Sequence, residues 1–409
     1  MMIRNIFHVL LIMGLMGWVS CTHSEKHVER IFQQGGWNFS CPFLTSDSQG
    51  HILLTWAGMD SSGTHSQIWM ARFNRQTLQL QDVAPVPHTV GVYPHGENLP
   101  KLACTSKGTW VLAFGTPAHR SSNPYAGEVK YVVSTDAGKH WSEAYPLVND
   151  TTSHDQRYFS LISFSDNRFL IIWMDDRLKT KADGSTLYLA ELSPARGVLN
   201  EKPIAYQLCP CCRTAMIYDS TKHALHIAFR QIIHDSIRDI MHMVSFDQGQ
   251  TFQEPQRVSF DNWVVDACPH SGPSMVCYAG QLHIVWYTLG DGRGIFYART
   301  TDDRVFTYKQ QVSDRNVSAK HAQIAALPDG RLVIAWDEYP LHSTKAHQRI
   351  GLQLRDTNGK WIKTWYIADS TGDLQFPVLL PVNRHQLFMA YTWQQGRHSA
   401  VICRTWDFR

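Results

Sequence analysis

From residue 40 onward the hydrophobic and polar positions repeat one motif. A Pro or small residue leads into alternating apolar positions, then a turn with Gly, Asp or Asn, then an apolar run ending in an aromatic. The runs end at Trp56, Phe114, Trp173, Phe229, Trp286, Trp336 and Tyr391, at intervals of 50 to 59 residues. That period suits a four-stranded blade with generous loops. Runs such as Ile52-Leu53-Leu54-Thr55-Trp56 and Leu332-Val333-Ile334-Ala335-Trp336 are apolar with almost no break, as strands buried on both faces are. The turns Ser46 to Gly50 and Pro328-Asp329-Gly330 just ahead of them read as hairpins. The pattern predicts an all-β chain, a seven-bladed β-propeller with a six-bladed ring as the alternative. The last repeat offers only three strands after residue 374. Its fourth is expected from residues 28–33, closing a single domain over residues 35–409.

The N-terminus follows a different pattern. Residues 1–20 carry one formal charge, Arg4, and an apolar run from Ile6 to Val19. The run is short for a bilayer span and reads as a signal peptide. It ends Trp18-Val19-Ser20-Cys21, which resembles a bacterial lipobox and makes Cys21 the expected acylation site. The alternative is an ordinary secretory signal lying near a Cys. Residues 21–34 read as a polar tether. The mature chain is expected in the bacterial cell envelope, periplasmic or at the outer membrane, and in contact with membrane only through its lipid.

Composition narrows the partners. Lys+Arg 38 against Asp+Glu 35 leaves a net charge of +3, with 18% charged residues and no basic run of five. No electrostatic footprint for nucleic acid or acidic lipid exists, and a monomer is expected. Aromatic residues make up 11% of the chain, with 26 Gly and 18 Pro, in keeping with many short strands and tight turns.

Two stretches, Ser134-Thr135-Asp136-Ala137-Gly138-Lys139-His140-Trp141 and Ser245-Phe246-Asp247-Gln248-Gly249-Gln250-Thr251-Phe252, fit the Asp-box pattern, and Thr300 to Phe306 is a worn copy. In such a turn the carboxylate accepts backbone N–H groups, Gly supplies positive φ and the aromatic fills the gap between sheets. These copies, two repeats apart, resemble the BNR-repeat, sialidase-like β-propellers over roughly residues 28 to 409. More narrowly, Cys209-Pro210-Cys211-Cys212-Arg213-Thr214, Arg238-Asp239 and Cys268 to Pro273 resemble exported members usually labelled exo-α-sialidase. The resemblance implies a glycoside hydrolase acting on terminal acidic sugars of glycoconjugates, with no metal or organic cofactor in its chemistry. Arg30-Ile31-Phe32 stands where such enzymes carry Arg-Ile-Pro, and it lacks the Pro.

In a propeller, residues just after each repeat-ending aromatic converge on the mouth of the central channel. These include Asp175, Asp176, Arg177, Arg230, Tyr287, Asp337, Glu338 and Tyr339; ahead of the inner strands come Cys41, His95, Arg157, Cys209 to Arg213, Cys268, His270 and His321. A sialidase replaces one catalytic carboxylate by Tyr and clamps its substrate's carboxylate with arginines. The resemblance makes Arg177, Arg213, Arg230 and Arg238 candidates for the clamp. Tyr287 or Tyr339 is then the candidate nucleophile with Glu338 as its base, and Asp175 or Asp176 the acid. Alternatively Asp176–Arg177 and Arg238–Asp239 are structural ion pairs, and the same face binds a glycan or protein without cutting it.

Eight cysteines follow Cys21, at 41, 104, 209, 211, 212, 268, 277 and 403. Aligning two successive repeats sets Cys209-Pro210-Cys211 over Cys268-Pro269-His270, so a disulfide from Cys268 to Cys209, Cys211 or Cys212 is expected. The alternative is a thiol cluster in which Cys209, Cys211, Cys212, Cys268 and His270 bind copper or zinc. Cys41 and Cys403 could pair through ring closure, and Cys104 and Cys277 read as core thiols.

Overall fold

A computed structural model describes residues 28–32 and 35–409, except 78, 119–122, 124, 150–153, 167, 179–183, 301 and 342–346. The signal peptide, Cys21 and most of the tether lie outside the described residues. Every regular element among the described residues is a strand.

The strands fall into successive four-stranded groups. The first is β2 to β5 (Trp37–Ser46, Ile52–Asp60, Ser66–Asn74, Gln79–Pro85) and the second β6 to β9 (Lys101–Cys104, Trp110–Pro117, Gly127–Ser134, Tyr145–Pro146). Next come β10 to β13 (Gln156–Ser165, Arg168–Asp175, Ser185–Ser193, Gly197–Leu208) and β14 to β17 (Ala215–Asp219, Ala224–Ile233, Ile237–Ser245, Gln256–Arg257). These two groups form one eight-stranded sheet, because Leu208 of β13 pairs with Gln231 of β15. Then follow β18 to β21 (Ser274–Tyr278, Gln281–Thr288, Gly294–Thr300, Gln310–Gln311) and β22 to β25 (Val317–Ala326, Leu332–Pro340, Arg349–Arg355, Trp361–Ile367). The last group is β26 to β28 (Asp373–Pro381, Gln386–Gln395, His398–Asp407), whose outer edge pairs antiparallel with β1 (Val28–Phe32). The result is six sheets, since one bridge merges two of the groups that the repeat pattern keeps apart.

The leading strands touch in cyclic order: β2 meets β6, β6 meets β10, and so on through β14, β18, β22 and β26 back to β2. All seven repeat-ending aromatics sit in the second strand of their group, and all are buried. A strand packed between neighbouring sheets has no polar face to offer, which is why those runs are apolar throughout.

Four leading strands begin with the same irregularity. The register shifts between Ser40 and Phe43, Arg157 and Ser160, Lys320 and Gln323, and Gln375 and Val378. Within these bulges Cys41, Tyr158, His321 and Phe376 take φ of 58°, 56°, 53° and 54°. A bulge re-aims side chains at the end of a strand, and these four are carried at the end where the candidate residues gather.

The Ser134 and Ser245 turns fold as their composition dictates. Asp136 Oδ1 accepts from the backbone N of Lys139 and His140, while Gly138 takes φ 84°. Asp247 Oδ1 accepts from Thr251 N at 2.8 Å, its Oδ2 from Thr251 Oγ1 at 2.5 Å, and Gly249 takes φ 84°. The Thr251 hydroxyl and amide hold the Asp247 carboxyl down at about 2, against an ordinary 3.8. A carboxyl depressed in the folded state stabilises above its unfolded value, and that contribution is lost as pH falls through the folded one. The stability gap between the parent and Asp247→Asn is therefore expected to close between about pH 4 and pH 2, as read from thermal melts across that window. The effect is modest, because the carboxylate faces solvent.

Candidate metal centre

The loop joining β13 to β14 begins Cys209-Pro210-Cys211-Cys212. Pro210 presets the backbone for the second position of a turn, and Cys212 N reaches back to Cys209 O at 3.5 Å. Cys209 N is also fixed to Arg230 O at 2.9 Å. The turn turns all three thiols to one side. Cys209 Sγ lies 3.5 Å from Cys211 Sγ and 3.9 Å from Cys212 Sγ, and Cys211 and Cys212 are 4.0 Å apart. All three residues are buried, around Ile232. Cys268, from the loop before β18, completes the cluster: its sulfur and those of Cys209 and Cys211 all lie within 4.8 Å of one another. Cys268 is exposed where the others are not.

These separations decide what the sulfurs can do. A disulfide needs about 2.05 Å. Four thiolates about 2.3 Å from one tetrahedral ion stand roughly 3.8 Å apart. The eight described cysteines after Cys21 are all free thiols, so the disulfide expected from Cys268 to Cys209, Cys211 or Cys212 is absent, as is one between Cys41 and Cys403. The sulfurs of Cys209, Cys211 and Cys268 stand close enough to share one ion, with Cys212 beside Cys209 and Cys211 but outside that set. Hydrogen bonds from Cys209 and Cys211 hold the Cys268 thiol far below the ordinary range, with help from the Arg238 charge. Bonds within the cluster push Cys211 up and Cys209 down.

Beside the thiols lies a cavity of about 350 Å³, walled by Tyr93, Tyr125, Tyr158, His95 and Arg157, with Cys211, Cys268 and His270 on its rim. Burial lowers the His95 imidazole, so it stands neutral there. His270 Nδ1 is 2.9 Å from Cys268 O, which turns that nitrogen away from the sulfurs. His321 reaches Asp337 at 2.7 Å and His270 O at 3.0 Å. Burial opposes its protonation, but the Asp337 carboxylate outweighs burial and raises it, and the ring ties the His270 loop to Asp337.

The other residues singled out by sequence have separate partners. Arg177 lies on Asp175 at 2.9 Å and Glu201 at 2.6 Å, over the Tyr188 ring, and Asp176 accepts from Ser185 Oγ at 2.7 Å. Arg213 is buried on Glu97 and donates to Ala322 O at 2.6 Å. Arg230 is fully buried and donates to three carbonyls, those of Arg238, Ser271 and Tyr287. Arg238 donates to Val265 O at 3.0 Å, while Asp239 takes Arg257. Glu338 is fully buried against Arg349 and Trp336. Tyr339 follows it and is exposed, because the strand, buried on both faces through Glu338, runs out of cover there. Tyr287 is buried in the fifth group, its ring edge-on to Trp263. What gathers at one place is the thiol set, with Arg230 and Arg238 lending it positive charge. Glu97 is the residue the sequence left unmarked: one carboxylate in a loop, with no motif around it.

No family model matches the chain, and no curated protein matches it. Solved structures do. A protein of unknown function from Dyadobacter fermentans is 14% identical with a TM-score of 0.53, over 94% of this chain and 98% of that one. The polysaccharide lyase Uly1 is 9% identical at 0.54, over 93% and 89%. NanB, a sialidase from Streptococcus pneumoniae, is 10% identical at 0.51, over 93% and 94%. At such identities the likeness shows the fold alone, an all-β, sialidase-like architecture.

Proposed function

We propose that the chain is a seven-bladed β-propeller whose channel mouth binds one thiophilic metal ion, copper(I) or zinc(II), through Cys209, Cys211, Cys212 and Cys268. The observation that carries this is the sulfur triangle of 3.5, 3.9 and 4.0 Å with a fourth thiol beside it. Soft thiolates select these two ions. Three buried sulfurs give retention, and exposed Cys268 on the cavity rim gives the ion a way in and out, which fits metal handling better than a sealed structural site. A bound ion would also keep the sulfurs too far apart to oxidise to disulfides in the envelope, where export and Cys21 acylation would put the protein. The test is anaerobic titration of the reduced full chain with cobalt(II) as a zinc stand-in and with copper(I). A thiolate charge-transfer band that saturates is expected. Unreduced protein with Cys268 cross-linked, and no band after reduction, overturns the reading.

A second reading, carbohydrate binding, is favoured by the three tyrosines that wall the cavity. Aromatic faces pack on sugar rings, and the same fold serves a sialidase and a polysaccharide lyase among the structural neighbours. Hydrolysis would need Arg177, Arg213, Arg230 or Arg238 to leave its present partner and Glu338 to leave Arg349. Glycan binding without turnover of a fluorogenic sialoside is therefore the expected outcome. Turnover by the purified chain, lost in Glu338→Gln, would restore the hydrolase assignment.

A further inference from the structure

We propose a second metal site, for zinc(II), formed by Asp219, His226 and Cys277 between the fourth and fifth groups. One ligand atom from each lies within 4.8 Å of the others. Asp219 ends β14, His226 lies in the neighbouring β15, and Cys277 is the penultimate residue of β18, which packs against β14. A carboxylate oxygen, an imidazole nitrogen and a thiolate are the donor types that zinc takes together. Magnesium or calcium would leave the sulfur and nitrogen unused.

A separate observation points to a ligand. His226 is fully buried, and its Nε2 has no hydrogen-bond partner. Its other nitrogen is taken, since Nδ1 lies 3.0 Å from Nε2 of His242. With the proton of that bond on His226 Nδ1, His226 Nε2 carries a bare lone pair in the interior, and a buried acceptor left without a donor is costly. A cation satisfies it. Charge balance agrees: Asp219 and Asp303 supply two negative charges, and Cys277 adds a third once a bound cation displaces its proton. Lys222, 2.8 Å from both Asp303 oxygens, supplies one positive charge, and Asp303 Oδ1 is 3.9 Å from His226 Nε2. A dication closes the sum. The His226–His242 bond also orients the ligating ring, as outer-shell partners of metal-bound histidine do.

The position gives the site a role. The thiol loops precede β14 and β18, whereas Asp219 and Cys277 stand at the far ends of the same two strands. An ion here would pin this pair of neighbouring strands at the end remote from the channel mouth.

The experiment compares zinc retained after loading and desalting by the reduced full chain, by Cys277→Ala, by His226→Gln and by Cys211→Ser/Cys268→Ser. One equivalent fewer is expected in Cys277→Ala and in His226→Gln than in the parent, and the double serine variant should keep that equivalent. The parent should also melt at a higher temperature with zinc than without, and Cys277→Ala should lose that site's share of the gain. Cys277 is half-buried and small, so its alanine variant is expected to fold; circular dichroism checks this, and Cys277→Ser provides a second folded variant if His226→Gln does not fold. Equal zinc in the parent and folded Cys277→Ala overturns the site. The result does not depend on the thiol cluster binding metal, because the difference between parent and Cys277→Ala is read whether that cluster is filled or empty.

Discussion

Replacing Cys211 and Cys268 together by serine should abolish tight copper(I) and zinc(II) binding at the channel mouth, with an affinity loss of more than about 100-fold. Removing even an outer-shell partner of a metal site costs about 10–100-fold, and here two direct ligands go. Serine is nearly isosteric but offers a hard oxygen that stays protonated at neutral pH, so it replaces neither the softness nor the charge of a thiolate. Competition against a chromophoric chelator reads the loss. Single variants separate the two ions. Zinc in an all-thiolate site takes four sulfurs, so Cys268→Ser should weaken zinc sharply. The three buried sulfurs of Cys209, Cys211 and Cys212 remain, and copper(I), satisfied by fewer thiolates, should be held more nearly as before. If both ions bind Cys211→Ser/Cys268→Ser as tightly as the parent, the cluster is not their site.

The repeat-ending aromatics were legible because burial between sheets forces an apolar run, and such a run shows in one dimension. Trp56, Trp173 and Trp336 each fall in the second strand of a group for that reason. The height of Cys209 and Cys268 was legible as well, since equal positions in successive repeats stand side by side. The separation of the sulfurs was not, because it is set by the Cys209–Cys212 turn and by packing between loops. Glu338 and Tyr339 read as partners through adjacency alone, whereas the cover over both faces of the strand ends between them and leaves one in the interior and the other at the surface. The partners of Arg177, Arg213 and Arg230 include backbone carbonyls and distant carboxylates, which residue types do not announce. Asp219, His226 and Cys277 meet only because two hairpins pack together, and nothing in their spacing marks them.

Glu97→Ala should cost about 3–5 kcal/mol of stability, the range for stripping one partner from a buried ion pair, and should weaken metal binding at the mouth as well. Glu97 is 1% exposed and receives the Arg213 guanidinium. Its Oε2 also accepts Arg213 N at 3.1 Å and Gly272 N at 2.8 Å. One carboxylate thus holds both thiol-bearing loops, a single residue beyond Cys212 and four beyond Cys268. The loops touch at that point: a Cβ at Gly272 would clash with the Arg213 carbonyl, so no larger residue could bring them so close. Removing Glu97 leaves the Arg213 charge buried, with Ala322 O as its remaining partner. It also takes away the negative charge nearest in effect to Lys101, whose ammonium burial already pushes down to about 7. Urea denaturation measures the stability loss. A purely structural role would leave metal affinity unchanged in whatever fraction stays folded, so titration of folded Glu97→Gln separates the two. The glutamine keeps the shape of the side chain but turns donor towards donors, and a several-fold loss of copper(I) affinity with the fold intact identifies Glu97 as the residue that positions the thiols.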